Sequence, residues 1–206
     1  MSVLIHPSYF PNIASCVGMA DDKTVILEAH DNYQKQTYRN RSTIYGANGK
    51  LTLTVPVIFT QMHRQLYKDI KIANDENWQS LHWKSLQSAY RTSPFFEHYE
   101  EDLIPLFQKN YQYLFDLNLK CLSLISDWLQ WELIFEESTH FEKDAISGDL
   151  RSLIEARKTI EHNFKPYTQV FSYKHGFIQN LSVLDLIFNE GPNALNYLEG
   201  QTLKSI

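Results

Sequence analysis

The chain has 206 residues, 43% hydrophobic and 21% charged, with 12 Tyr, 12 Phe and 4 Trp; that supplies a sizeable core and excludes a short peptide module or a disordered chain. A formal charge of −5 and a pI near 5.9 weigh against a general nucleic-acid binder, which gathers Lys and Arg into a basic domain. The opening MSVLIHPSYF has no positive n-region and no apolar run approaches the ~20 residues that span a bilayer, so a cytoplasmic protein without membrane insertion is expected.

In chain order, SVLI and TVILEA (24–29) read as short buried strands, and the PNIASCVGMA between them as a helix ended by Gly18 or by Asp21-Asp22. The first strand runs into LIHPSYFPN (4–12), where His6-Pro7 and Phe10-Pro11 fix the backbone before any contact is made. STIYGANGKLTLTVPV reads as a hairpin, with Asn48-Gly49 supplying positive φ at the turn and Leu51, Leu53, Val55 and Val57 on one buried face. From about Asp75 the apolar spacing becomes helical. Asn74 or Asp75 can cap a helix whose face carries Trp78, Leu81, His82, Ser85, Leu86 and Ala89. SPFF then restarts a second helix, with Ser93 as N-cap and Pro94 at its first position. YQYLFDLNLKCLSLISDWLQW is the clearest helix, lined by Leu114, Leu117, Cys121, Leu124, Ile125 and Trp128. WELIFEEST reads as a strand, GDLRSLIEARK as a short amphipathic helix, and NLSVLDLIFNEGPNALNYL as a helix pair broken at Gly191-Pro192. The expectation is one domain of α/β or α+β class. Residues 1–72 hold a small mixed sheet with a β-hairpin, and residues 73–206 are mainly helical.

GxGxxG, GxxxxGK[ST], GxSxG, HExxH and paired cysteines are all missing from the sequence, which argues against dinucleotide, NTPase and zincin chemistry. Cys16 and Cys121 stand apart and read as reduced core thiols. The densest polar stretch is HDNYQKQTYRNR (30–41), where Lys35, Arg39 and Arg41 alternate with Tyr33, Tyr38 and Asn40. A loop of this kind after a strand suits a phosphate, a carboxylate or a nucleotide, although most such runs only solvate a surface. His82, one turn after Trp78, is either a general acid–base or a satisfied core residue. His6 and His30 end the first two predicted strands and would approach each other if those strands are parallel neighbours. With Glu28 or Asp31 they show no diagnostic ligand spacing, so no metal is assigned. In YKHGF (173–177) His-Gly is read as a bend, with Asp185 pairing locally.

Five stretches in register, PSYFPN, QKQTYRNRSTI, LTVPV, Trp78 with His82, and AYRTSPFF, resemble the WbqC-like family over about residues 3–135, and HGFIQNLSVLDLIFNEGP is similar to the tail of one branch. The family is named from genes of O-antigen and other surface-polysaccharide clusters. The resemblance implies a transferase, acyl or aminoacyl, that modifies an amino sugar carried on a phosphate or nucleotide. It places the family's recurrent positions on Tyr9, Pro11, Lys35, Asn40, Arg41, Trp78, His82, Tyr90 and Phe95. In that reading Lys35 and Arg41 bind phosphate, Tyr9 and Trp78 stack on sugar or base, and Tyr38, Asn40, Tyr90 and Phe95 complete the pocket. His82, with His6, does the acid–base work; no cofactor is specified. The chain departs from the family with His6-Pro7 for Gln-Pro and Asn12 for Trp, and lacks the Gly-Tyr-Phe continuation. The alternative is a non-enzymatic protein that binds a small ligand or a partner through the same surface. RNA binding through the basic loop is weaker, because three cations neutralise few phosphates.

Overall fold

The first two apolar runs pair as parallel neighbours. In a computed structural model that describes residues 2–20, 24–60, 64–143, 148–157 and 160–204, β1 (Ser2–Ile5) lies beside β2 (Thr24–Leu27), joined by α1 (Ile13–Ala20). α1 runs past Gly18; Asp21 and Asp22, the other expected stop, lie outside the described residues. The sheet's third strand comes from far along the chain, the WELIFEEST segment, as β7 (Ile134–Glu137), parallel to β2. Period-two alternation turns Val3, Ile5, Val25 and Leu27 into the core and Ser2, Leu4, Thr24 and Ile26 away from it.

Beyond the other edge of β1, Leu4 N–H donates to Gly148 O at 2.8 Å and Leu150 N–H to Leu4 O at 2.9 Å. Segment 148–150 therefore runs as a further parallel partner. Gly148 permits this: its φ is +69°, and a Cβ there would lie 2.5 Å from Ser2 O.

The hairpin is β3 (Arg41–Gly46) with β4 (Gly49–Thr54). Positive φ is supplied by Gly49 alone, at +99°, and not by Asn48. Its buried face is shorter than the alternation suggests: Leu53 and Val55 are buried, while Leu51 near the turn is 40% exposed. β5 (Val57–Ile58) and β6 (Lys71–Ile72) form a small antiparallel pair.

Helices dominate thereafter: α2 (Trp78–Tyr90), α3 (Phe96–Gln108), α4 (Leu114–Leu129), α5 (Ser172–His175), α6 (Val183–Glu190) and α7 (Ala194–Glu199). Leu81, expected on the packed face of α2, is 62% exposed. The class is α+β, with small sheets and the hairpin in the N-terminal half and helices in the C-terminal half. Ser93 does not cap α3; its Oγ donates to Tyr90 O at 2.7 Å and closes the end of α2, so α3 starts at Phe96. The expected helix in GDLRSLIEARK is a 3₁₀ turn, Arg151–Ile154, because bridges at Asp149 to Leu4 and at Glu155 to Thr37 hold both flanks extended. Ser182 caps α6 through Leu184 N–H, and Gly191, at φ +53°, breaks the final pair where Phe95 leaves no room for a Cβ.

Asp185 on α6 is fully buried and takes its hydrogen bonds from Tyr90 (2.9 Å), Tyr167 (2.5 Å) and Gln169 (2.8 Å). Burial raises its pKa, against the pull of those three donors. The network ties the C-terminal segment to α2. Cys16 and Cys121 are free and buried, and burial pushes both thiols up. Among the described residues no helix is long and apolar enough to cross a membrane.

Candidate functional site at the carboxyl edge of the parallel sheet

Parallel strands deliver whatever follows them to one edge, where α/β sheets bind their ligands. Here β1 delivers His6, β2 delivers Glu28, His30 and Asp31, and β7 delivers Ser138. Glu28 N–H donates to Ile5 O at 2.8 Å and Ser138 N–H to Leu27 O at 2.9 Å, so the three strand ends stay in register. Segment 148–150 brings Asp149 and Arg151 alongside. Together they form a cleft of about 440 Å³ lined by His6, Asp31, Arg39, Asp149 and Arg151, with the half-exposed Phe141 at its rim.

The floor of this cleft is a charged cluster. His6 Nε2 lies 2.9 Å from Asp31 Oδ2, and Arg39 Nη2 reaches the same oxygen at 2.6 Å, itself 2.6 Å from His6 Nε2. Arg39 is 1% exposed. Its backbone carbonyl accepts from Asn118, whose amide also meets the Tyr67 hydroxyl, which in turn donates to Pro7 O. Loop 30–41 is thus fastened to the end of β1 from inside the protein.

Burial pulls the His6 imidazole down to about 4, against the opposing pull of the Asp31 carboxylate, so the ring is neutral at physiological pH. Burial alone would push the Asp31 carboxyl up, but the His6 hydrogen bond and the Arg39 charge outweigh it and hold the group below its usual value. His6 Nδ1 and Arg39 Nε are both buried and have no hydrogen-bond partner. Asp31 Oδ2, an acceptor, and Arg39 Nη2, a donor, both meet Nε2, so the pair fixes the position of the neutral ring while its proton goes to Nε2 or Nδ1 according to which of the two it bonds. Arg151 holds Asp149 through Nε and Nη2 at 2.7 to 3.1 Å and faces Glu28 Oε2 at 3.5 Å. Among the described residues no group of three His, Cys, Asp or Glu is placed to hold a metal ion.

Of the residues singled out from the sequence, His6 lines this cleft. Tyr9, Trp78 and His82 do come together, but in the core, each at most 5% exposed. The Tyr9 hydroxyl meets His82 Nδ1 at 3.0 Å, and Trp78 stands edge-on to His82 at 5.2 Å. Burial brings His82 down to about 4, against the opposing pull of the Thr54 backbone. Asn40 gives its amide to Val55 O; Tyr90 serves the Asp185 network; Phe95 packs beneath Gly191. Tyr38 is half-buried beside Thr43, Arg41 is half-buried, and the exposed Lys35 lies over the Phe59 ring at 4.9 Å. His6 and His30 stand on adjacent parallel strands, but the partner of His6 is Asp31, and His30 turns to Ser138 and Lys68.

Sequence reading passed over Asp31 as an orienting carboxylate, Arg39 as a buried cation, and Asp149, Arg151 and Ser138 altogether. The available signal was positional: Glu28, Asp31 and Ser138 each follow an apolar run directly or within four residues.

A family model described as WbqC-like protein family matches residues 6–163. The chain is 26% identical over 194 residues to an uncharacterized protein of Mycobacterium tuberculosis, covering 81% of this chain and 83% of that one. No solved structure matches.

Proposed function

Since the chain belongs to the WbqC-like protein family, we propose that it is a transferase placing an acyl-type group on a phosphorylated or nucleotide-linked sugar of surface-polysaccharide synthesis. The supporting observation is a neutral imidazole, oriented by a carboxylate, on the floor of a cleft at the carboxyl edge of a parallel sheet. In this reading the His6 imidazole takes the proton of the acceptor amine or hydroxyl as it attacks the acyl carbon. Asp31 holds the ring and stabilises the imidazolium that forms. Arg151 borders the bound sugar, and Phe141 at the rim offers it an apolar face. Lys35 and Arg41, on the loop that carries Asp31, supply cations for the phosphate. His82 is buried against Tyr9 and Trp78 and so supports the core, and the base role falls to His6.

Replacing His6 with Gln is expected to leave the dissociation constant for the nucleotide sugar within about threefold and lower kcat by 10²- to 10⁴-fold, roughly the contribution of a positioned base. Isothermal titration and mass-spectrometric product detection separate the two. Loss of binding and folding together would return His6 to a structural role.

A further inference from the structure

A second group of side chains at the same edge lies beside the His6 cleft and meets it where Arg151 faces Glu28 Oε2 at 3.5 Å. Ser138, half-buried at the end of β7, lets its Oγ donate to Glu28 Oε1 at 3.0 Å and accept from Ala29 N–H at 3.1 Å. His30 Nδ1 is 3.3 Å from the same Oγ, and His30 Nε2 is 3.0 Å from Lys68 Nζ. An ammonium can only donate, so Nε2 accepts and the His30 proton sits on Nδ1, facing Ser138. The bonds then run one way, from the Lys68 cation through His30 and Ser138 to the Glu28 carboxylate, 1% exposed. Holding β7 against β2 does not require them, since the ladder bond from Ser138 N–H to Leu27 O already does so. Ser138 and Glu28 border a separate cleft of about 340 Å³ whose other walls include Leu4 and Ile26.

We propose that Ser138 is a nucleophile that carries the acyl group as a seryl ester, with Glu28 as its general base. This rests on the acyl-transfer reading and names its covalent intermediate. The co-reactant is an activated acyl donor, a thioester or comparable ester. Oγ bonds to the acyl carbon as its proton passes to Glu28 Oε1; the carbon–sulfur bond breaks, and the leaving thiolate takes that proton back. The Ala29 N–H on Oγ lowers the cost of ionising the hydroxyl. The His30 contact, longest of the three, yields to the incoming carbonyl carbon. In the second half-reaction the sugar's amine or hydroxyl attacks the ester carbon, its proton goes to Glu28, and Glu28 passes it to Oγ as the carbon–Oγ bond breaks. Leu4 and Ile26 give a short aliphatic acyl chain an apolar wall. Ser138 and His6 are two strands apart, about 10 Å at ordinary strand spacing, so on this route Glu28 takes the acceptor's proton and His6 holds the sugar from the neighbouring cleft.

The test uses p-nitrophenyl acetate and the whole protein, without any sugar. A burst of one nitrophenolate per chain is expected, with an acetyl group on the peptide that holds Ser138. Glu28→Gln should slow the burst by about 10²-fold, Ser138→Ala should abolish both signals, and Ser138→Cys should acetylate at the same position. No burst in the wild type, or an acetyl group that persists elsewhere in Ser138→Ala, overturns the proposal. Because no sugar is present, such a failure with nucleotide-sugar binding intact would leave the His6 reading standing.

Discussion

Lowering the pH from about 7 to about 4 is expected to destabilise the fold by roughly 6 kcal/mol, about half from each of two buried histidines. His6 and His82 titrate near 6.5 when solvated and are held near 4 in the fold. Between those values the unfolded chain binds more protons than the native one. The stabilisation is therefore complete above 6.5 and is lost as the pH falls toward 4. Asp31, held low by His6 and Arg39, gives up its own contribution in the same direction at still lower pH, as it titrates below its ordinary value. Asp185 works the other way: its raised pKa favours the protonated fold, so it offsets part of the loss. Urea denaturation across the window reads the sum, and His82→Gln should remove about half of the slope. Stability that stays flat from pH 7 to about 4 would mean that neither imidazole is desolvated as described.

Asp31→Ala is expected to cost about 3–5 kcal/mol, because it leaves the Arg39 guanidinium buried without its carboxylate. The pair itself need not contribute much net stability, since both charges were taken out of water to form it. Removing one partner is what exposes the cost. Asp31→Asn keeps an acceptor oxygen for Arg39 and should cost less. The shift belongs in the denaturation midpoint, with little change in slope. A cost below about 1 kcal/mol, the range of an exposed ion pair, would show that Arg39 reaches water and that the cluster is not the anchored floor of the cleft.

Much of the architecture was legible because period and spacing are local properties. The short apolar runs of β1 and β2, the Gly49 hairpin and the apolar face of α4 all carry their patterns within a dozen residues. The partnership of β2 with β7 is not local: it joins residues more than a hundred positions apart, and WELIFEEST does not say which strand it will meet. That pairing brings Ser138 to the sheet edge, as the bridge of Asp149 to Leu4 brings Asp149 and Arg151. Three cations in HDNYQKQTYRNR look alike in sequence, yet Arg39 ends 1% exposed while Lys35 stays at the surface, since the fold turns only one of them toward Asp31. LIHPSYFPN was conspicuous for good reason, but the stiffness serves the core. Pro7 O takes the Tyr67 hydroxyl, Phe10 adopts φ +47°, and Phe10 O accepts from Ser42 and Ser182. His6, the first residue of that stretch after β1, is the one that reaches the cleft.

The most direct test of the central claim, that the carboxyl-edge cleft binds the sugar substrate, is a thermal-shift screen of the wild type and Arg151→Ala against nucleotide sugars. A ligand at about 100 times its dissociation constant adds about 2.7 kcal/mol, a shift of a few degrees for a chain of this size. The account predicts that one class of nucleotide sugar shifts the wild type and leaves Arg151→Ala unmoved. An equal shift in both proteins, or none in either, would contradict it.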